Sequence, residues 1–458
     1  MPPGPQKYAR IGDGVTEKLN VLLITFSFPP AGGVGVLRAV SLAKYLPEND
    51  IRVDVLTARN APAVGKDLTL LQQVPQSVTV HPTWTLDLPF GFRKFIKKLL
   101  SGTRTNFPSQ SSATGRNDRG RNPLARLVGN LLLPDPQIGW LPFAFPEAKK
   151  IIRRRNIDLV LITVPPYSSV YLVAKLRKAF PALPIVVDFR DEWLTTTINL
   201  VSFNSNERAR SIAKSAEAET VRAATSVVAV TDAARLEMMG RYPDEDPAKF
   251  QYIPNGFDTT SNKAAIIAPR TSDKVVLTFL GSIYGSTDPA TLIEAVLGLS
   301  PDLRSRLHLR FIGHIETLAY REALLRLGDT VELKGFVPQA EALRSIEDTD
   351  YLLLISHDRI NVSAKFYDYL GGGKPIFAAI HPSGDIRKLL DETSAGIWAD
   401  SQNPEAIRNL LETILHPQRA SDAASIRPNQ ERIASYHRRA ITQRYATLLR
   451  QIAGISEV

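Results

Sequence analysis

Lys365 and Asp368 stand three apart in the run Val362-Ser363-Ala364-Lys365-Phe366-Tyr367-Asp368-Tyr369-Leu370-Gly371-Gly372-Gly373-Lys374-Pro375-Ile376. The pattern predicts a polar entry, a helix over Lys365–Leu370, a glycine stop and a buried strand. On a helix this spacing puts the ammonium and the carboxylate on one face. A helix start aims free N–H groups at whatever lies ahead of it and favours an anion. A cation, a carboxylate and a helix start in one place suit a nucleoside diphosphate with its ribose alongside. They equally suit a surface salt bridge on an ordinary amphipathic helix, and spacing alone leaves both readings open.

Three further segments carry candidate chemistry. Phe28-Pro29-Pro30-Ala31-Gly32-Gly33-Val34-Gly35-Val36-Leu37-Arg38 ends an apolar run and opens a helix. Its glycines let backbone approach a ligand closely, and Arg38 could contact an anion. It is not G-x-G-x-x-G, so no nicotinamide cofactor is predicted. Val187-Asp188-Phe189-Arg190-Asp191-Glu192-Trp193 follows another apolar run, placing charges where open α/β sheets bind ligands. An Arg190–Asp191 pair that only shapes the loop would explain the same residues. Leu280-Gly281-Ser282-Ile283-Tyr284-Gly285 opens a second series of elements and contains no cation. No cluster with metal-ligand spacing appears, and Asp348-Thr349-Asp350 reads as a helix end, so no metal is predicted.

The elements that must position these residues form two series. Leu19–Phe26, Val53–Thr57, Leu159–Thr163, Ile185–Asp188 and Val227–Val230 read as buried parallel strands. Helical segments at Val34–Leu46, Ala144–Arg154, Ser169–Lys178 and Asn206–Ala224 alternate with them. After a polar linker come strands at Val275–Leu280, Leu307–Ile312, Val331–Lys334, Tyr351–Ile355 and Ile376–Ala379. Their helices are Pro289–Leu297, Thr317–Arg326, Gln339–Ile346, Lys365–Leu370 and Pro404–Leu415. Two doubly wound α/β units are expected. The predicted boundaries are a flexible leader at 1–17, a first domain at 18–258, a second at 270–430, and one amphipathic helix within 431–458.

The chain of 458 residues carries a formal charge of +10, and the excess is local. Nine basic residues face one acid, Asp118, in the predicted insertion 88–134. Phe90–Leu100 interleaves aromatic and aliphatic groups with lysines, so 90–126 is a candidate contact for an anionic membrane surface. A solvated helix capping the domain is the plainer alternative, and no nucleic-acid motif accompanies the charge. Zero cysteine excludes disulfides and a thiol nucleophile. The N-terminal segment lacks an apolar signal core and no run reaches the ~18 apolar residues of a membrane span. A cytoplasmic protein, peripheral at the cytoplasmic membrane, is expected.

The run from Lys365 to Pro375 resembles the K-x-x-E-Y-L-x-x-G-K-P signature of retaining glycosyltransferases of family 4, whose fold is GT-B. Phe28–Arg38, the D-F-R-D-x-W run at 188–193 and Ile253-Pro254-Asn255-Gly256-Phe257-Asp258 resemble further motifs of one branch, in the family's order. The resemblance implies two facing Rossmann-like domains, a deep cleft, and a last helix that crosses back to the first domain. It implies transfer, with retention, from a nucleotide-diphosphate sugar to a lipid-linked or polysaccharide acceptor, without a cofactor. Asp368 takes the place of the ribose-binding glutamate. Gly281, Ser282, Lys365 and Arg359 become donor-site candidates, Gly33, Gly35, Arg38, Asp188 and Arg190 cleft or acceptor candidates, and Asp191 and Lys365 catalytic candidates. Two positions depart from the family. Ile360 stands where a second glutamate contacts the donor sugar, and Ser282–Ser286 lacks the arginine and lysine that neutralise the leaving diphosphate. A non-catalytic sugar-nucleotide-binding subunit and a sugar-nucleotide epimerase of the same fold are the alternatives.

Overall fold

The computed structural model describes residues 18–61, 65–86, 133–195, 206–258, 274–337, 341, 345–416 and 426–455. The leader 1–17, the apolar–basic stretch 90–126 and most of the expected helix Gln339–Ile346 lie outside the described residues.

Unbroken apolar runs form strands that need cover on both faces, as in parallel sheets. The first sheet has seven parallel strands in the order β3-β2-β1-β4-β5-β6-β7. These are β1 (Leu19–Ile24), β2 (Ile51–Ala58), β3 (Thr79–Thr83), β4 (Leu159–Val164), β5 (Ile185–Phe189), β6 (Ser226–Ala229) and β7 (Phe250–Tyr252). The second sheet has six in the order β10-β9-β8-β11-β12-β13. They are β8 (Val275–Leu280), β9 (Leu307–Ile312), β10 (Val331–Gly335), β11 (Tyr351–Ser356), β12 (Ile376–Ile380) and β13 (Gly396–Asp400). Strand order reverses between β1 and β4 and again between β8 and β11. Connecting helices diverge at such a switch point and leave a crevice at the strands' carboxyl ends. The glycine loop leaves β1 there, and the Gly281 loop leaves β8. The fold is therefore α/β with two Rossmann-like domains.

One core runs continuously from a face of the first sheet through Tyr445 and Leu449 of the last helix to Tyr367 and Ile376 of the second domain. The far faces of the two sheets have separate cores. The last helix thus crosses back to the first domain. It packs on the helix Val34–Tyr45, with Arg450 Nη2 donating to the Asn49 carbonyl at 2.6 Å.

One expectation needs correction. The terminal segment is not one helix but two, Gln430–Ala434 and Arg438–Ala453. The break serves a link to the first domain. Phe257 N–H donates to the Tyr436 carbonyl, and Arg438 N–H donates to the Phe257 carbonyl at 2.8 Å. A helix across 435–438 would use these groups internally. Gly256 is required here, because a Cβ would lie 2.3 Å from the Tyr436 carbonyl oxygen.

Candidate functional site

A cavity of about 650 Å³ opens between the two domains. Its first-domain wall includes Gly35, Tyr167, Arg190 and Asp191. Its second-domain wall includes Tyr284, Ser286, Asp358, Asn361, Ser363 and Ala364, and Arg438 and Tyr445 of the last helix close one side. Loops from the two switch points therefore share one space.

Arg38 reaches this wall, but its guanidinium is spoken for. Nε and Nη2 donate to the two oxygens of Asp188 at 2.9 and 3.0 Å, Nη1 to the Pro254 carbonyl at 2.7 Å, and Nη2 to the Ile253 carbonyl at 2.8 Å. Tyr445 OH accepts from Nη2 and donates to Asp188 at 2.7 Å. Burial alone would lower the arginine's pKa, yet Asp188 and Tyr445 raise it above the ordinary value. Asp188 is fully buried. Of the two expected cleft residues, Arg38 lines the cavity while Asp188 lies behind it, and both are engaged by protein groups. They tie the glycine-loop helix, β5, the 253–255 loop and the last helix together, because a buried charge must be paired and every donor satisfied.

Arg190 differs. It donates to the carbonyls of Gly35, Pro165 and Val164 and forms no ion pair among the described residues. Burial lowers its pKa, opposed by Asp191 and Asp188. Asp191 lines the cavity and is exposed there, close to surrounding protein. Desolvation by that protein raises its pKa against the pull of Arg190, with Asp188 adding to the rise. The loop after Asp191 is anchored from below. Glu192 accepts from Thr195 and from Arg241, which also donates to Glu217 at 3.0 Å. Glu217 is fully buried, and desolvation raises its pKa to about 7 against Arg241, with Glu192 adding to the rise.

Across the cleft, Ala364–Gly372 forms the expected helix, and Gly373 ends it in the left-handed region at φ 68°. The Lys365 ammonium lies 3.9 Å above the centroid of the Phe279 ring and makes no hydrogen bond or ion pair among the described residues. Burial pushes its pKa down to about 8. Gly281 makes this placement possible. Its φ is +114°, and a Cβ there would lie 2.8 Å from Lys365 Cε. Asp368 is exposed at the helix surface. Desolvation raises its pKa, and the neighbouring Arg438 opposes that shift. Arg438 itself donates to the Gly256 carbonyl at 3.0 Å and pairs with Asp258.

The structure gathers Gly35, Arg38, Arg190 and Asp191 on the cavity, whereas Gly33, Asp188, Gly281, Ser282, Lys365 and Asp368 lie outside its lining. Arg359, expected as a donor contact, pairs with Glu237 of the first domain, with Nη2 2.5 Å from Oε1. Asp358 caps its own turn, accepting from the N–H groups of Ile360 and Asn361 at 2.8 and 3.0 Å. Sequence reasoning missed Tyr445, Arg438 and the Glu192–Glu217–Arg241 cluster. Each is a single residue on an ordinary amphipathic helix or loop, so no local pattern marks its partner hundreds or tens of residues away.

Residues 109–261 match the family described as Glycosyltransferase Family 4. No curated protein matches the chain. Among solved structures, Anabaena HepE in complex with UDP is similar over 94% of this chain and 100% of its own, at 16% identity and a TM-score of 0.59. A glycosyltransferase from Rickettsia africae is similar over 96% of this chain and 100% of its own, at 15% identity and a TM-score of 0.57. An α,α-trehalose 6-phosphate synthase from Burkholderia multivorans is similar over 95% and 97%, at 13% identity and a TM-score of 0.61. At such identities the likeness is one of fold, and that fold is GT-B. The family match gives the chain a glycosyltransferase domain across the loop that carries Asp188–Trp193.

Proposed function

We propose that this glycosyltransferase moves a sugar from a nucleotide-diphosphate donor to a hydroxyl of a lipid-linked or growing polysaccharide acceptor, with retention. The observation that carries the donor assignment is the Lys365 ammonium. It is a desolvated cation without a carboxylate partner among the described residues, set just behind the cavity lining on the first turn of a helix whose start, Ser363 and Ala364, faces the interdomain cavity. A leaving diphosphate develops charge as its bond to the sugar breaks, and preorganised cations and N–H groups stabilise that charge. The Ser282–Ser286 loop contributes no cation, so Lys365 and the helix start take that role, and Asp368 holds the ribose. That Anabaena HepE binds UDP in a similar fold supports a nucleotide donor.

In the proposed reaction the acceptor hydroxyl attacks the anomeric carbon from the face that the phosphate leaves. The carbon–phosphate-oxygen bond breaks, the new glycosidic bond forms, and the leaving diphosphate takes the hydroxyl proton. No protein nucleophile is needed. Asp191, with its raised pKa beside Arg190, orients the acceptor hydroxyl on the first-domain wall. The reading assigns no resident cofactor. Its place is the cytoplasmic side of a membrane, in cell-surface polysaccharide assembly, with the basic 90–126 stretch on anionic lipid. Among the described residues no helix is long and apolar enough to cross a membrane.

The rival reading, a subunit that binds without turnover, draws on Ile360, which is buried rather than presented to a sugar. Proton NMR of the sugar released or transferred from an α-linked donor separates the two. An α-configured product supports retention, a β-configured one overturns it, and no turnover with bound donor favours the subunit.

A further inference from the structure

Ile360 occupies the position where the family's second glutamate would stand, and its side chain has another task. It is 7% exposed and packs in a small cluster with Ala229, Ala233 and Ala234 of the first domain. Two polar contacts flank it. Arg359 pairs with Glu237, and the buried Asp385 accepts the Ala233 N–H at 2.8 Å. The helix Asp232–Arg241 begins at Thr231, whose side chain caps Ala234 N–H, so Asp385 of the second domain supplies the cap for the next free donor. A carboxylate at that end also meets the positive end of the helix dipole. These contacts act as one unit. Asp385 N–H donates to the Arg359 carbonyl, and a Cβ at Gly384 would lie 3.3 and 3.5 Å from the carbonyl oxygens of Asp358 and Arg359.

We propose that Arg359, Ile360 and Asp385 form a clasp on the start of the helix Asp232–Arg241 and hold the cleft closed before any donor binds. The clasp contains an apolar contact, a buried charge-assisted hydrogen bond and an ion pair, all between the domains and none through a ligand. Position 360 therefore cannot both close the domains and hold a donor sugar, and this chain uses it for closure. The inference concerns domain geometry, so its failure would leave the transferase reading untouched.

Small-angle X-ray scattering of the full chain without nucleotide tests it. The wild type should give the profile of the closed structure. Ile360→Glu and Asp385→Ala should shift to a larger radius of gyration and maximum dimension, with unchanged far-UV circular dichroism. Should either variant lose its fold, Glu237→Lys, a change at a partly exposed site that sets a like charge against Arg359, should open the domains in part. Adding Arg359→Glu should then close them again. Variant profiles that superimpose on the wild type, or a wild type already open, would overturn the clasp.

Discussion

The Arg38 guanidinium grips the Asp188 carboxylate through both oxygens, 150 residues away in the chain, and Tyr445 hydrogen-bonds to both partners. This buried triad joins the glycine-loop helix, the strand that delivers Arg190 and Asp191, and the helix that returns from the second domain. It cross-links the first-domain wall. Breaking a buried pair leaves an uncompensated charge, which costs about 3–5 kcal/mol. Asp188→Ala should therefore lower urea stability by that order. Tyr445→Phe, which keeps the ring and removes one hydroxyl, should cost about 1–3 kcal/mol. Nucleotide affinity per folded molecule should stay near wild type for Tyr445→Phe, as neither group is left to bind it.

Lys365 sets a pH dependence. Its folded pKa of about 8 lies below the ordinary 10.5. Between these values the unfolded chain binds the extra proton, so stability rises with pH across that window. Donor affinity should move the other way, falling as pH passes 8 and the ammonium loses its charge. Isothermal titration of the nucleotide from pH 6.5 to 9.5 should show this fall. Lys365→Met should weaken binding about 10- to 100-fold at pH 7, equivalent to a charged hydrogen bond of ~1.5–3 kcal/mol, and flatten the profile.

Gly281 is held to glycine twice over, by a φ of +114° and by the Lys365 side chain, whose Cε would lie 2.8 Å from a Cβ. Gly281→Ala should cost about 1–3 kcal/mol in backbone strain. It should also displace the ammonium from the Phe279 ring, so that nucleotide affinity falls with stability. Wild-type affinity in a destabilised Gly281→Ala protein would separate the glycine from the donor site.

Glu217 makes the opposite contribution to stability. Its pKa, raised from 4.5 to about 7, means that the folded state holds a proton the unfolded chain has released. Stability from this group is present in acid and declines as pH rises from 4.5 through 7. Glu217→Gln keeps an acceptor for Arg241 and Tyr242 and should remove the decline. The variant should be more stable than wild type at pH 8 by about 1–3 kcal/mol, read from urea midpoints at pH 5 and pH 8.

Much of this architecture is legible in the chain because parallel strands are buried on both faces and write themselves as unbroken apolar runs. Leu19–Ile24, Leu159–Val164 and Tyr351–Ser356 are of this kind. The strands that escape the pattern are β3, β7 and β13, all at sheet edges, where partial exposure admits residues such as His81, Pro82 and Gln251. At the site, short-range signals were sound. Glycines stand where backbone must bend or approach, and a helix starts where Ser363 and Ala364 face the cleft. The direction of a charged side chain was not legible. Arg38, Asp188 and Arg359 have the types and positions of ligand contacts, yet their partners are protein groups from distant segments, which no spacing along one segment encodes. Ile360 carried a signal in its very departure from the family, and only its packing on Ala233 and Ala234 gives that departure a physical meaning.

The central claim is that the cleft binds a nucleotide-diphosphate sugar. Thermal unfolding of the purified protein with UDP-, GDP-, ADP- and dTDP-sugars tests it directly, since a ligand bound only by the folded state raises the midpoint by mass action. A rise with one nucleotide class, lost in Lys365→Met, is expected. A folded protein whose midpoint does not move with any of the four would contradict it.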